Sequence, residues 1–376
     1  MITLFELKNK GFCRLFIRTP FYIKNFVLLL QLAFVLSVVY LVYFRKDGLV
    51  IQNISKILKG LNSETFNYLE SHSDSLRLTK LLNNYQAQIS SNQFMDDCVR
   101  INKPCKFEGL AAGWAASDNW QFDSEHAYKY LEDKLGNEKI QVYKLTQEDY
   151  DLFRSSSDGN SFQQGKEVQM TYKEFIEKMS KDDAADYNLR DRSDKLMEIL
   201  KKDVENPKFF EAINRFYRLE LMQGQSFVQQ AHYQRDEQML CSIDGVLQVK
   251  LIPHVFRQEV YAGKDKIIVD EESQDNPKNA VRISTPDTCS PVNFFEPDTS
   301  VYPLFEDIDR KYTVLLHEGD CLYVPAFYYH QYIAKTEQQP DVKGIKPSSI
   351  AVSLKYKGNS ILLDKFMTAV ETNILS

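Results

Sequence analysis

Three residues stand out as placed to act together in metal or hydrogen-bond chemistry. His232 and Gln234 stand in AHYQRDE, and His330 stands in AFYYHQY. A neutral imidazole offers one ring nitrogen as donor and one as acceptor, so two facing imidazoles make a ligand set or a hydrogen-bonded polar pair. His232 and Gln234 are two residues apart, which on a strand puts both side chains on one face. His72, His126, His254 and His317 have no ligand spacing among themselves and read as surface or turn residues.

The elements that must hold these groups are short and β-rich. GQSFVQQAHYQRDEQMLCSIDGVLQVKLIP contains two strand-like runs around Asp244-Gly245, a dipeptide that favours a two-residue hairpin. In HEGDCLYVPAFYYHQYIA, Gly319-Asp320 turns into CLYVP, Pro325 ends that strand, and His330 opens the next. Trp114 and Trp120 read as core anchors, and the tyrosines of AFYYHQY as packing residues. Ser155–Gly165 reads as a loop, and KMSKDDAADYNLRDRSDK as a solvated charged connection. Cys13, Cys241, Cys289 and Cys321 are scattered, the last three in contexts of buried thiols. Cys98 and Cys105 could close a small loop in an oxidising space, although pairs at this spacing are more often free.

Together these runs resemble the JmjC/cupin-type barrel of iron- and 2-oxoglutarate-dependent oxygenases, most closely its asparaginyl-hydroxylase-like branch. KPCKFEGLAAGWAASDNW, YKYLEDKLGNEKIQVYKL, TYKEFIEKM, SPVNFFEPDTSVYPLF and SSIAVSLKYKG fall in the family's order, so the resemblance covers about residues 98 to 358. It implies a mainly β double-stranded β-helix with flanking helices. It also implies Fe(II) held by two histidines and a carboxylate, with positions left open for 2-oxoglutarate and oxygen. His232 matches the first ligand and His330 the distal one, but Gln234 stands at the carboxylate position. Asp236, four residues beyond His232, is the nearest substitute. Where the branch has the lysine that pairs with 2-oxoglutarate there is Leu247, and where it has a hydroxyl three residues before the first ligand there is Gln229. Lys250 alternates onto the opposite side of its strand from the lysine position. A dianion without its cation is poorly held. The departures therefore predict a vestigial metal site, with no catalytic residues and no bound cofactor.

Charge divides the chain. Residues 1–46 carry seven basic residues against Glu6 alone, while the remainder carries 39 basic and 51 acidic residues. A body this acidic argues against nucleic-acid binding, and 43% hydrophobic residues with 12% aromatics exclude wholesale disorder. Residues 25–44 are uncharged, long enough as a helix to cross a bilayer at about 30 Å, and have Phe21, Tyr22, Tyr40 and Tyr43 at the two ends. The basic flank predicts an N-terminus on the cytoplasmic or matrix side and the body across the membrane.

The expected organisation is a basic segment at 1–24, a transmembrane helix at 25–44, a helical stalk at 45–94, the cupin-like domain at 95–358 and an amphipathic helix at 359–376. The preferred reading is a non-catalytic, single-pass accessory subunit of a membrane complex. The basic, acid-poor head favours the mitochondrial inner membrane over the endoplasmic reticulum. Its partners would be the bilayer and other subunits. The alternatives are a membrane-tethered Fe(II)/2-oxoglutarate protein hydroxylase and, more weakly, a small-molecule binding module in the emptied barrel.

Overall fold

The computed structural model describes residues 83–357 apart from short internal stretches, chiefly 146–152, 156–161 and 269–280. All of these belong to one compact unit, Ser73–Asp364. The apolar run 25–44, most of the stalk and the C-terminal segment lie outside the described residues. Among the described residues, no helix is long and apolar enough to cross a membrane.

Sixteen strands follow one another among these residues. The first seven are β1 (Asn83–Gln86), β2 (Cys105–Glu108), β3 (Lys139–Lys144), β4 (Phe153–Ser155), β5 (Phe162–Gln164), β6 (Lys166–Thr171) and β7 (Tyr187–Asp191). Then come β8 (Arg215–Gly224), β9 (Glu237–Asp244), β10 (Val246–Ile252), β11 (Lys266–Ile268) and β12 (Val281–Ile283). The last four are β13 (Tyr312–Leu316), β14 (Cys321–Val324), β15 (Tyr329–Lys335) and β16 (Ser349–Lys357). Nine form a major sheet in the order β1-β2-β14-β9-β16-β8-β7-β3-β6, and β13-β10-β15 form a minor one. The stretch from Phe227 to His232 runs beside β15 without being a regular strand. It is tied there through bridges at Val228–Ile333 and His232–His330.

Alternation along the strands separates three apolar layers. Leu219 and Leu221 of β8, Met239 and Cys241 of β9, and Val352 and Leu354 of β16 face the layer that helices cover. Met222, Leu240, Leu322 and Ala351 point the other way, into a barrel interior shared with Leu247, Val249, Leu251, Val314 and Tyr332 of the minor sheet. A third layer, including Ala231, Tyr233, Phe256, Phe294 and Tyr329, covers the minor sheet's outer face. This is a mainly β, cupin-type arrangement with flanking helices.

Local signals explain several elements. Helix Tyr172–Met179 starts on a capping box: the Thr171 side chain accepts from the Glu174 amide, and the Glu174 carboxylate accepts from the Thr171 amide. The helix buries Phe175, Ile176 and Met179. Trp114 and Trp120 are core residues, and the Trp120 indole donates to Asp203 at 3.1 Å. Gly319 takes φ +81 with its Cα face against Ala112, a place where a side chain would be strained.

Four expectations are corrected. Asp244-Gly245 does not close a hairpin: β9 belongs to the major sheet and β10 to the minor one, so Gly245 (φ 75) turns the chain around a barrel corner. Such a corner needs the same positive φ as a hairpin, so local sequence does not distinguish them. Within the stretch read as helical stalk, Asn83–Gln86 is a strand paired parallel to β2. The stretch read as a solvated connection contains β7, inserted between β8 and β3 with Leu189, Arg190 and Asp191 buried.

The fourth correction concerns cysteines. Cys98 is joined to Cys105, and Cys241 to Cys321, leaving Cys289 as a buried free thiol among the described residues. Cys241 and Cys321 are direct register partners on β9 and β14, with Cα atoms 4.1 Å apart. Eighty residues separate them in sequence, so only the strand pairing brings them together.

Candidate functional site

His232 and His330 meet through their backbones first. Each amide donates to the other residue's carbonyl, at 3.2 Å and 2.9 Å, and the ring centroids lie 4.6 Å apart. Both rings are buried. His232 Nδ1 is 2.8 Å from the Gln230 carbonyl, and His330 Nδ1 is 3.0 Å from the Tyr328 carbonyl. A carbonyl only accepts, so both Nδ1 atoms carry the proton and both Nε2 atoms keep a lone pair. Gln234 Nε2 donates to His232 Nε2 at 2.9 Å. His330 Nε2 has no hydrogen-bond partner among the described residues. Gln234 therefore caps one imidazole rather than bridging the two.

Two cations and one carboxylate lie on strands of the same barrel. On the interior faces of β7, β8 and β16 lie Arg190, Glu220 and Lys355, all buried. Arg190 Nε donates to one Glu220 oxygen, and Lys355 Nζ lies 3.4 Å from the other. Burial opposes charge on Glu220, but Arg190, Lys355 and Arg192 outweigh it and hold the carboxyl well below its usual range. Burial also pushes His330 down to about 4, and Lys355 and Arg190 add to the effect. His232 is likewise held well below its ordinary value, first by burial, then by His330 and Arg190. Both rings are neutral at pH 7.

The remaining sequence-selected residues are in the same neighbourhood with different roles. Leu247 is buried in the interior apolar layer, opposite Ala334 of β15. Gln229 accepts from the Tyr332 hydroxyl at 3.3 Å, and its amide nitrogen is 3.4 Å from His232 Nδ1. Lys250 points outward, donating to the Phe294 carbonyl at 2.9 Å. Asp236 accepts from the Tyr217 hydroxyl. His254 opens the single-turn helix His254–Phe256 and is half-buried, its ring stacking on Tyr329 at 5.6 Å and meeting Tyr233 at 4.9 Å. Burial pushes it down to about 4, with Arg257 adding to the shift.

Sequence reading missed Arg190, Glu220 and Lys355. Arg190 sits in a run dense with charges, Glu220 is the one acidic residue of β8, and Lys355 is one of two lysines at the end of β16. The available signal was their period: Glu220 shares a strand face with Met222, as Lys355 does with Ala351.

The cupin-like domain family matches residues 91–359, which is most of the chain. The chain belongs to that family. Within it, the cupin-like barrel is 23% identical over 258 residues to the tRNA wybutosine-synthesizing protein 5 of Homo sapiens, covering 66% of this chain and 72% of that protein. The Mus musculus protein of the same name is 23% identical over 262 residues, with the same coverage.

Fe(II) chemistry on such a barrel needs two imidazoles and an anionic oxygen. Here the barrel supplies the imidazoles and a neutral amide. Asp236 and Glu220 both have other partners, and Arg190 and Lys355 oppose a further positive charge. The donor set does not fit a ferrous ion. Nor does Leu247, in its apolar layer, fit the cation expected for 2-oxoglutarate.

Proposed function

We propose that the chain is a non-catalytic member of the cupin-like family, presenting its barrel as a structural or docking subunit of a membrane complex. One observation carries the non-catalytic reading. Where a metal centre would need an anion the imidazole pair has the neutral Gln234 amide, and burial together with Arg190 and Lys355 lowers the proton affinity of His232. Arg190 and Lys355 share the Glu220 carboxylate, an ion group that ties three strands together and leaves this carboxylate engaged.

The tether rests on residues 25–44, and two disulfides agree with a body held in an oxidising space. The lumen of the endoplasmic reticulum and the intermembrane space both meet that condition, and the basic N-terminal head favours the latter. The name of the curated relatives suggests tRNA. The excess of acidic over basic residues beyond position 46 weighs against a polyanion as partner of this chain.

The test is metal analysis of the full chain, purified in mild detergent, together with native size analysis. The expected result is less than a tenth of an iron per chain after Fe(II) loading and desalting, no 2-oxoglutarate turnover, and migration with co-purifying membrane partners. Stoichiometric iron with turnover would restore the tethered hydroxylase. A free monomer without partners would remove the docking role.

A further inference from the structure

β8 and β16 continue past Glu220 and Lys355 to the end of the barrel at which β9 begins. Their pairing is regular from Ser349–Gly224 to Lys355–Arg218, after which Tyr356 meets Phe216 and Lys357 meets Arg215. Tyr217 is the extra residue of this bulge. Phe216 and Tyr356 belong to the helix-covered layer. Arg215, Tyr217 and Lys357 therefore alternate onto the interior side, the side that Arg218 shares with Glu220. Exposure rises in the same direction. β8 is buried from Leu219 onward, half-buried over Phe216–Arg218 and exposed at Arg215, and Lys357 is exposed at the end of β16. The Tyr217 hydroxyl donates to Asp236, which places the group at the barrel mouth, two residues along the chain from Gln234.

Two cations gather on one ring there. The Arg218 guanidinium lies 5.6 Å from the Tyr217 ring centroid and Lys357 Nζ lies 5.1 Å from it. Asp236 accepts from the hydroxyl of that ring and pairs with neither cation. Among the described residues, Arg215, Arg218 and Lys357 have no ion-pair partner, and Arg218 Nε is buried without a hydrogen bond. A half-buried guanidinium in that state has lost water without gaining an acceptor. A carboxylate arriving at its terminal nitrogens offsets the loss.

The surroundings choose between anionic partners. A long nucleic acid would also meet the acidic body around the patch, and the Tyr217 ring is already occupied by cations rather than free for a base. A flat lipid surface reaches the exposed Arg215 and Lys357 but not the half-buried Arg218. A short acidic segment projects single side chains into such a recess. We infer that the barrel mouth docks an acidic segment of a partner protein, its carboxylates pairing with Arg218 and Lys357 on either side of the bulge at Tyr217. The inference rests on the docking reading above and gives the partner its chemistry.

A fluorescent peptide of alternating glutamate and glycine, and its glutamine counterpart, are titrated by anisotropy against the full chain in neutral detergent. The glutamate peptide is expected to bind at least tenfold more tightly. Arg218→Gln should weaken it at least fivefold and Lys357→Gln at least twofold, with melting temperatures near that of the parent chain, since neither residue gives up an ion pair. Equal binding of the two peptides, or binding indifferent to both variants, overturns the inference. So does displacement of the peptide by oligouridylate of matched charge, or by soluble dihexanoyl phosphatidylserine, at a lower concentration than unlabelled peptide. A dimer of the chain that either variant dissociates overturns it by assigning the surface to a second copy. Absence of peptide binding in a chain that still co-purifies with membrane partners and holds no iron overturns the inference and leaves the docking reading standing. Peptide binding by a chain that holds iron and turns over 2-oxoglutarate keeps the surface and overturns the docking reading.

Discussion

Glu220 sits between Arg190 and Lys355 inside the barrel, one oxygen accepting from the guanidinium and the other 3.4 Å from the ammonium. The three come from β8, β7 and β16, adjacent strands of the major sheet. Removing the central anion leaves two buried cations facing each other. Glu220→Gln should therefore cost about 3–5 kcal/mol, read as a lower denaturation midpoint. Because the carboxyl is held below its ordinary value, the pair's contribution is complete above the unfolded value of 4.5 and is lost as pH falls toward the folded one. An acid melt of the parent chain that matched Glu220→Gln in slope below pH 4.5 would contradict the assignment.

His254 gives a second pH dependence in a different window. Its ring is pushed from 6.5 down to about 4, so the unfolded chain binds the proton first. Stability should fall as pH drops from 6.5 toward 4, by about 3 kcal/mol for this group. His330 titrates in the same range, so the check is a difference: His254→Phe, which keeps the stacking on Tyr329, should flatten the melting-temperature profile between pH 6.5 and 4 and leave it unchanged above pH 7.

The two positions that depart from the oxygenase pattern should respond separately. Gln234→Asp puts an anion against His232 and should raise Fe(II) affinity at least tenfold, measured by competition with a chromophoric chelator. Leu247→Lys places an ammonium in an apolar layer and should cost about 2–4 kcal/mol without conferring 2-oxoglutarate turnover. A Leu247→Lys chain as stable as the parent would show that the interior at this point is wet.

The Cys241–Cys321 bridge closes a long loop across the core face of the major sheet. Cys241→Ala with Cys321→Ala should lower stability by about 4 kcal/mol if chain entropy is the main term. The Cys98–Cys105 bridge closes a short loop and should contribute less. Non-reducing peptide mapping of protein taken from membranes tests both bridges; free thiols at all four positions would place the body in a reducing space.

How much of this was legible in advance depends on the range of the interaction. The strands flanking Gly245 and Gly319 and the turn at Gly319 follow from local signals, alternation and turn chemistry, and the pairing of His232 with His330 from the family resemblance. So did the neutral Gln234 and the apolar Leu247, since a side chain's chemistry is carried by the residue itself. Tertiary structure decided what those residues face. Gly245 turns a corner rather than a hairpin because β9 and β10 pair with different neighbours. Cys241 meets Cys321 because two strands far apart in sequence align in register. Arg190 reads as a solvated charge until β7 is placed beside β8, where Glu220 offers it a buried partner. A charge buried beside its counter-ion and the same charge in water have one sequence signature. The difference lies in desolvation and distance, which exist only once the sheet has formed.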